Sequence, residues 1–219
     1  MFDANCLKLM FVAGSQDFCH IKGGKNDRIN ALLDALELVL QSKITAFQFR
    51  QKGDLALQDP IEIKQLALEC QKLCQKYSTP FIVNDEVQLA LELKADGVHV
   101  GQEDMAIEEV VTLCKKRQFI GLSVNTLEQA LKAHHLDAVA YLGVGPIFPT
   151  QSKKDKQVVG VELLKKIKDS GIKKPLVAIG GITMHNASKL REYGGIAVIS
   201  AIAQARDKAL AIEKLLNDA

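Results

Sequence analysis

The feature that most constrains the fold is an alternation of short apolar runs with longer amphipathic runs, repeated eight times along 219 residues. Apolar runs this short are typical of parallel β-strands that are covered on both faces. The predicted strands are residues 7–14, 45–50, 80–85, 97–101, 119–124, 138–145, 175–181 and 196–200.

Between these runs, apolar residues recur at spacings of three and four, which predicts helices with one buried stripe. The predicted helices are residues 29–40, 61–77, 87–94, 107–116, 127–136, 161–169, 186–193 and 209–218. Strands that alternate with helices form a parallel sheet, and eight rounds in a chain of this length favour a closed (β/α)8 barrel. We therefore predict a single TIM-barrel domain over residues 1–219, with an open doubly wound sheet as the alternative.

Charge and cysteine content narrow the function classes. The formal net charge is only +2, which argues against a nucleic-acid or membrane-surface partner. The cysteines number five, none forms a C-x-x-C pair, and no apolar run reaches the roughly 18 residues of a membrane span. We expect reduced thiols and a cytoplasmic protein without a signal peptide. A homo-oligomer is compatible with the sequence, which does not fix the oligomeric state.

Polar residues follow the predicted strands at their carboxyl ends, where a barrel keeps its active site. Gln48, Arg50 and Lys52 alternate, so all three point to one side of strand two, and the two cations suit a polyphosphate. An exposed strand edge is the structural alternative.

Two carboxylates end adjacent predicted strands. Asp85 follows Asn84 at the end of strand three, and Asp104 comes shortly after strand four. Magnesium usually takes one or two carboxylates and completes its shell with phosphate oxygens and water. The pair therefore predicts a Mg²⁺ site, although either aspartate alone could equally be a helix cap.

The last strands carry a phosphate-site pattern. Gly180 and Gly181 end predicted strand seven, and the backbone of Ile199 and Ser200 ends strand eight, where barrels often bind phosphate. His99 is interpreted as a strand packing residue. Gly143 and Gly145 on strand six either let a ring approach the backbone or allow tight packing.

Taken in order, the motifs resemble those of the thiamine-phosphate synthase family, also called thiamin phosphate pyrophosphorylase. The resemblance rests on FQFRQK, IVNDEVQLALELKADGVHVGQED, IGLSVNT, YLGVGPIFPTQSK, VAIGGIT and AVISAI, and it runs from about Leu7 to Ala203. The chain departs from the family pattern at Gln51, where an acid is usual, and at Ser152, where the family commonly has threonine.

The resemblance implies an enzyme that joins (4-amino-2-methyl-5-pyrimidinyl)methyl diphosphate to 4-methyl-5-(2-phosphooxyethyl)thiazole, giving thiamine phosphate and pyrophosphate with the help of Mg²⁺. It assigns the pyrimidine diphosphate to Gln48, Arg50, Lys52, Asn84, Ser123 and Lys153. Arg50, Lys52, Ser123 and Lys153 would act directly in catalysis. It assigns Mg²⁺ to Asp85 and Asp104, and the thiazole phosphate to Thr150, Ser152, Gly181, Ile199 and Ser200.

Three rival functions remain open at this point. A thiazole tautomerase shares the barrel and the thiazole phosphate site, but it does not need the full diphosphate and metal set. A regulator that binds a thiamine-related phosphate would not release pyrophosphate. A barrel phosphosugar isomerase would need a catalytic base at a strand end, and no candidate is as well placed as the aspartate pair. The segment 149–160 is a candidate lid.

Overall fold

The computed structural model describes residues 2–115, 117–150 and 157–218, and within them eight parallel strands close into a barrel in sequence order. The strands are β1 Leu9–Ala13, β2 Ala46–Phe49, β3 Phe81–Asn84, β4 Gly97–Val100, β5 Phe119–Val124, β6 Val139–Val144, β7 Leu176–Ile179 and β8 Gly195–Val198. Because β1 pairs with both β2 and β8, the predicted barrel is confirmed and the open sheet is excluded.

Helices follow the strands and cover the outside of the barrel. They are α1 Lys25–Gln41, α2 Pro60–Lys76, α3 Val87–Leu93, α4 Ile107–Cys114, α5 Leu127–His134, α6 Gly160–Asp169, α7 Ser200–Ala203 and α8 Lys208–Asp218. Short 3-10 helices span Ala4–Leu7, Ser15–Phe18 and Ala187–Leu190. Cys70 and Cys74 both face the core from α2, as their spacing predicts.

Two expectations about the elements were wrong. The predicted helix at 186–193 is shorter in the structure, where the 3-10 helix Ala187–Leu190 takes its place. The Asn186 side chain hydrogen-bonds to the preceding loop, so Asn186 lies outside the helix. Ser200 was predicted to end strand eight, but β8 ends at Val198 and Ser200 begins α7. Gly180 and Gly181 likewise lie just beyond β7 rather than within it.

The core has two layers, because successive strand residues point to opposite faces. Outward residues such as Phe47 and Phe49 pack against the helices. Inward residues such as Met10, Ile82 and Val177 fill the barrel. The alternation along β2 therefore points Gln48 inward, and it lies 4% exposed inside the barrel.

The end of the barrel opposite the strand carboxyl ends is filled by aromatic rings. Phe2 lies parallel to Tyr141, with ring centroids 6.4 Å apart and an interplanar angle of 11°. Phe119 packs 5.1 Å from Phe2 and 6.4 Å from Tyr141. This group, the aromatic floor, supports the interior side chains from below.

Side-chain caps fix two helices that follow site strands. Asp59 accepts a hydrogen bond from the Ile61 N–H at 2.8 Å, and Pro60 occupies the first position of α2. Thr126 and Gln129 form a capping box at the start of α5. These caps fix where the loops end, and so where the polar residues before them lie.

Candidate active site

Two adjoining cavities open at the carboxyl ends of the strands. The inner cavity is bordered by eight of the predicted site residues: Gln48, Arg50, Asn84, Ser123, Thr150, Gly181, Ile199 and Ser200. The outer cavity is bordered by Lys52, Asp85 and Asp104, and Arg50, Asn84 and Ser123 border both. The structure thus brings these eleven residues to one mouth, as the strand-end argument predicts.

The side of the mouth formed after β2, β3 and β4 presents ionisable side chains: Arg50, Lys52, Asp85 and Asp104. We call it the charged half. Its centre is Lys52, whose Nζ lies 2.7 Å from Asp85 Oδ2 and 3.5 Å from Asp104 Oδ1. The two carboxyl groups are also within hydrogen-bonding reach of each other. One cation therefore already lies between the two predicted metal ligands.

The pKa values of the two carboxyl groups are shifted in opposite directions. Burial raises the pKa of Asp85, and Asp104 adds to this rise while Lys52 opposes it. Burial also acts on the pKa of Asp104, but hydrogen bonds from its neighbours outweigh it and lower that pKa. Burial likewise disfavours the Lys52 ammonium, yet its pKa is raised because both carboxylates stabilise the charge.

Local backbone geometry brings the carboxylates together. Asp85 has a left-handed φ of 65°, a conformation that Asp and Asn tolerate better than most side chains, and its N–H donates to the His99 carbonyl at 2.8 Å. Asp104 folds back over β4, where its Oδ2 accepts from the Gly101 N–H at 2.8 Å. A Cβ on Gly101 would lie 2.7 Å from that same oxygen, so glycine makes room for the carboxylate.

Arg50 lies at the boundary of the two cavities and is held through its backbone. Its N–H donates to the Ala13 carbonyl at 3.0 Å, and its carbonyl accepts from Gln16 Nε2 at 2.8 Å. Asp17 lies nearby; burial raises the pKa of this carboxyl group, and the Arg50 guanidinium opposes the rise. The backbone of Arg50 is therefore anchored, and its guanidinium is close enough to the half-buried Asp17 carboxyl group to act on its pKa.

The side of the mouth formed after β7 and β8 presents main chain: Gly180, Gly181, Ile199 and Ser200. We call it the backbone half. Gly180 and Gly181 have left-handed φ values of 99° and 64°. The Phe148 N–H donates to the Gly180 carbonyl at 3.0 Å, so the loop after β6 lies directly against this turn. A Cβ on Gly181 would lie 2.7 Å from the Cβ and the carbonyl oxygen of Phe148.

The loop after β7 is closed by Asn186. Its Nδ2 donates to the Gly181 carbonyl at 3.0 Å, and its Oδ1 accepts from the Thr183 N–H at 2.8 Å. On the same side of the mouth, α7 begins at Ser200, and the first N–H groups of a helix have no partner within it. The backbone half therefore offers N–H groups rather than charged side chains.

Several residues at the mouth were not among the predicted ligands. Asn125 Nδ2 donates to the Gly145 carbonyl, and Gln102 Nε2 donates to the Ser123 carbonyl at 2.7 Å. His99 packs inside the barrel as predicted, but it also borders the inner cavity together with Tyr141. The signal for His99 is its alternation with Val98 and Val100, which both pack outward.

The aspartate pair fits a magnesium ion that a substrate helps to bind. Within residues 2–115, 117–150 and 157–218, no group of three or more Asp, Glu, His or Cys side chains is placed to hold a metal. Two adjoining carboxylates suit Mg²⁺ if phosphate oxygens and water complete its shell. Asp85 and Asp104 would hold the ion. Ser152 and Lys153 lie outside the described residues, as does part of the candidate lid.

No helix in the described part of the chain has the length and apolar character needed to cross a membrane. A family profile described as thiamine monophosphate synthase matches residues 18–202. The thiamine-phosphate synthase of Helicobacter pylori (strain ATCC 700392 / 26695) is 91% identical over all of both chains. That of Pasteurella multocida (strain Pm70) is 52% identical and covers 97% of this chain and 96% of its own. The solved thiamine phosphate pyrophosphorylase from Pyrococcus furiosus superposes with a TM-score of 0.80 at 36% identity, covering 98% of this chain and 96% of its own.

Proposed function

The chain belongs to the thiamine monophosphate synthase family and condenses the pyrimidine diphosphate with the thiazole phosphate. We propose that the two halves of the mouth bind different parts of these substrates. The charged half holds the diphosphate and Mg²⁺, and the backbone half holds the thiazole phosphate. The inner cavity between them holds the two rings. The tautomerase, regulator and isomerase alternatives are not what these relatives are named for.

The observation that carries this proposal is the position of Lys52 between Asp85 and Asp104, at 2.7 Å and 3.5 Å. Two carboxylates and an ammonium, with Arg50 at the edge of the same cavity, form a surface that can bind a cation and a polyanion together. With the diphosphate bound, Lys52 would turn from the carboxylates to the phosphate oxygens, and Asp85 and Asp104 would then be able to hold Mg²⁺.

The reaction breaks the bond between the pyrimidine methylene carbon and a diphosphate oxygen. The electron pair of this bond stays on the oxygen, which leaves as part of pyrophosphate. The thiazole nitrogen then gives its lone pair to that carbon and forms the new C–N bond. Bound magnesium would neutralise charge that collects on the leaving pyrophosphate. Arg50, Lys52 and Lys153 donate to the same oxygens, and their contacts strengthen as the charge develops. Lys153 has this role as a sequence prediction.

The inner cavity positions the two rings and does not need a nucleophilic side chain. Gln48, Asn84 and Ser123 border it from β2, β3 and β5 and are proposed to bind the aminopyrimidine part. Thr150, Ser152, Gly181, Ile199 and Ser200 are proposed to bind the thiazole phosphate, mainly through N–H groups of the main chain. Fixing both reactants in one cavity supplies the proximity that the condensation needs.

The test is a coupled pyrophosphate-release assay with both substrates, in Mg²⁺ and after removal of divalent metal by chelation. We expect release only when both substrates and Mg²⁺ are present, and we expect added Mg²⁺ to restore it. Full turnover in the chelated enzyme would overturn the metal assignment while leaving the condensation itself intact.

We also propose a cytoplasmic location. In the part of the chain that the structure describes, Cys6, Cys19, Cys70, Cys74 and Cys114 are free thiols, which suits a reducing compartment. Cell fractionation tests this. A homo-oligomer stays a prediction, to be tested by light scattering.

A further inference from the structure

A chain of hydrogen bonds crosses the barrel interior just below the inner cavity. His99 Nδ1 lies 2.9 Å from the Tyr141 hydroxyl, and His99 Nε2 lies 2.9 Å from Ser123 Oγ. Gln48 lies near the Tyr141 hydroxyl, and its Nε2 donates to Met10 Sδ at 3.4 Å. The four side chains come from β2, β6, β4 and β5, and the proposed function gives a role to Gln48 and Ser123 alone.

We propose that His99, held by Tyr141, is a positioning residue that fixes the Ser123 hydroxyl as a hydrogen-bond donor facing the inner cavity. The acceptor is an atom of the pyrimidine diphosphate, either a ring nitrogen or a diphosphate oxygen. The inference deepens the proposed function and rests on the substrate-binding role that it gives to Ser123.

The proposal assigns a donor and an acceptor to each of these hydrogen bonds, starting from Tyr141. Tyr141 is fully buried, and burial raises the pKa of its phenol far above the ordinary value, so the hydroxyl keeps its proton. In the proposed arrangement, the single Tyr141 hydrogen is donated to His99 Nδ1, which lies 2.9 Å away. A neutral imidazole that accepts at Nδ1 carries its hydrogen on Nε2. Nε2 then donates to Ser123 Oγ, and the hydrogen of the serine points elsewhere.

The rings occupy a space that two glycines leave open. Gly121 pairs with His99 on β4 and with Tyr141 on β6, and a Cβ at Gly121 would overlap both rings. A Cβ at Gly143 would lie 2.8 Å from His99 Cε1. The aromatic floor supports Tyr141 from below. The imidazole therefore has one place to lie, which fixes its orientation toward Ser123.

Packing alone does not explain an imidazole at this position. His99 is only 7% exposed, and burying a polar ring costs free energy unless both nitrogens find partners. An apolar side chain would fill the space without that cost. One partner of His99 is fully buried, and the other borders both cavities.

Ser123 is fixed at two points as a result. Its carbonyl accepts from Gln102 Nε2 at 2.7 Å, and its hydroxyl oxygen accepts from His99. A serine hydroxyl otherwise rotates among three positions, so a preset donor loses less freedom when the substrate binds.

The test compares two conservative variants at His99. The amide nitrogen of glutamine takes the place of Nε2, whereas that of asparagine takes the place of Nδ1. We expect His99→Asn to lower kcat/KM for the pyrimidine diphosphate by about three- to tenfold, the value of one hydrogen bond. We expect His99→Gln to recover most of this loss, and the KM for the thiazole phosphate to stay within about twofold in both. His135→Asn, on an exposed histidine, is the matched control.

A double-mutant cycle with Ser123→Ala separates positioning from packing. If His99 acts through Ser123, His99→Asn costs little more once the serine hydroxyl is gone. Equal losses with and without the hydroxyl overturn the inference but leave the proposed role of Ser123 intact. Wild-type kinetics in Ser123→Ala would overturn both.

A measurement on the wild-type enzyme needs no variant to fold. Imidazole ¹⁵N NMR distinguishes the ring nitrogen that carries hydrogen from the one that does not. A neutral His99 with hydrogen on Nε2 supports the inference, and hydrogen on Nδ1 overturns it, because Ser123 would then donate to the imidazole instead of to the substrate.

Discussion

The charged half and the backbone half of the mouth present different chemical groups to a ligand. In the charged half, Lys52 Nζ lies 2.7 Å from Asp85 Oδ2 and 3.5 Å from Asp104 Oδ1. These three side chains together carry no excess of positive charge. In the backbone half, left-handed Gly180 and Gly181 and the start of α7 present main chain. Under the proposed function, side chains would respond to charge that changes during the reaction, whereas main chain would bind a phosphate whose charge does not change.

The largest effect is expected at Asp85. We expect Asp85→Asn to slow pyrophosphate release by about 100-fold or more, because the carboxylate charge is lost where leaving-group charge must be balanced. Asparagine tolerates the left-handed φ of 65°, so the fold should survive, as circular dichroism would check. Asp34→Asn, on the exposed face of α1, is the control. Near-normal turnover in Asp85→Asn would mean that the charged half does not act through its carboxylates.

Removing the Lys52 ammonium should weaken the contact with the diphosphate but strengthen the binding of a metal cation. Lys52→Met should slow turnover by about tenfold or more, since a charge-assisted phosphate contact is lost. The same change should tighten Mn²⁺ binding to the substrate-free protein by about two- to fivefold, because an exposed ion pair no longer competes for the carboxylates. Calorimetry measures the second effect.

Lys64→Met is the matched control for this pair of effects, because Lys64 forms a comparable exposed ion pair with Glu92 at 2.9 Å. Weaker Mn²⁺ binding in Lys52→Met would show that Lys52 supports the metal site rather than competing with the metal.

In the backbone half, Gly181→Ala should lower the stability of the fold as well as weaken the binding of the thiazole phosphate. A left-handed alanine costs about 1–2 kcal/mol, and its Cβ would also meet Phe148 at 2.7 Å. We expect a fall in Tm of several degrees and a larger rise in KM for the thiazole phosphate than for the pyrimidine diphosphate. This geometry means that a side chain at Gly181 disturbs the loop after β6 as well as the phosphate.

Gly171→Ala separates strain from contact, because Gly171 also has a left-handed φ, of 80°, but has open space around its Cβ position. Equal losses of stability in the two variants would show that the contact with Phe148 contributes nothing.

The smallest effect is expected at Ser200. Ser200→Ala removes a hydroxyl but keeps the N–H at the start of α7, so the KM for the thiazole phosphate should change by less than about threefold. Steady-state kinetics with the thiazole phosphate varied is the measurement. A loss greater than about tenfold would break the comparison, because a side chain would then carry phosphate binding in the backbone half.

The sequence predicts the elements and the mouth better than it predicts contacts. Apolar periodicity locates all eight strands within about two residues at each end, because it reports which face is buried. It fails at Ser200, since a helix as short as α7 has no period to detect. It also fails for Lys52 with Asp85 and Asp104, which are 33 and 52 residues away, because their meeting depends on strand register and loop path.

The interior shows the same limit. Gly143 was expected either to let a ring approach the backbone or to allow tight packing, and the structure shows packing, because the imidazole of His99 in the same chain lies against it. Alternation along β4 points His99 inward, but only the pairing of His99 with Gly121 and of Gly121 with Tyr141 joins it to its partners.

The aromatic floor has a consequence for the order of events. In the described residues, Phe2, Phe119 and Tyr141, with the buried side chains above them, fill the barrel below the inner cavity, so we expect reactants and products to enter and leave at the strand carboxyl ends. The inner cavity adjoins the outer cavity, where the proposed function places the diphosphate. We predict that pyrophosphate in the outer cavity delays the exit of thiamine phosphate from the inner cavity. Pyrophosphate added to the medium should therefore slow product release as its concentration rises.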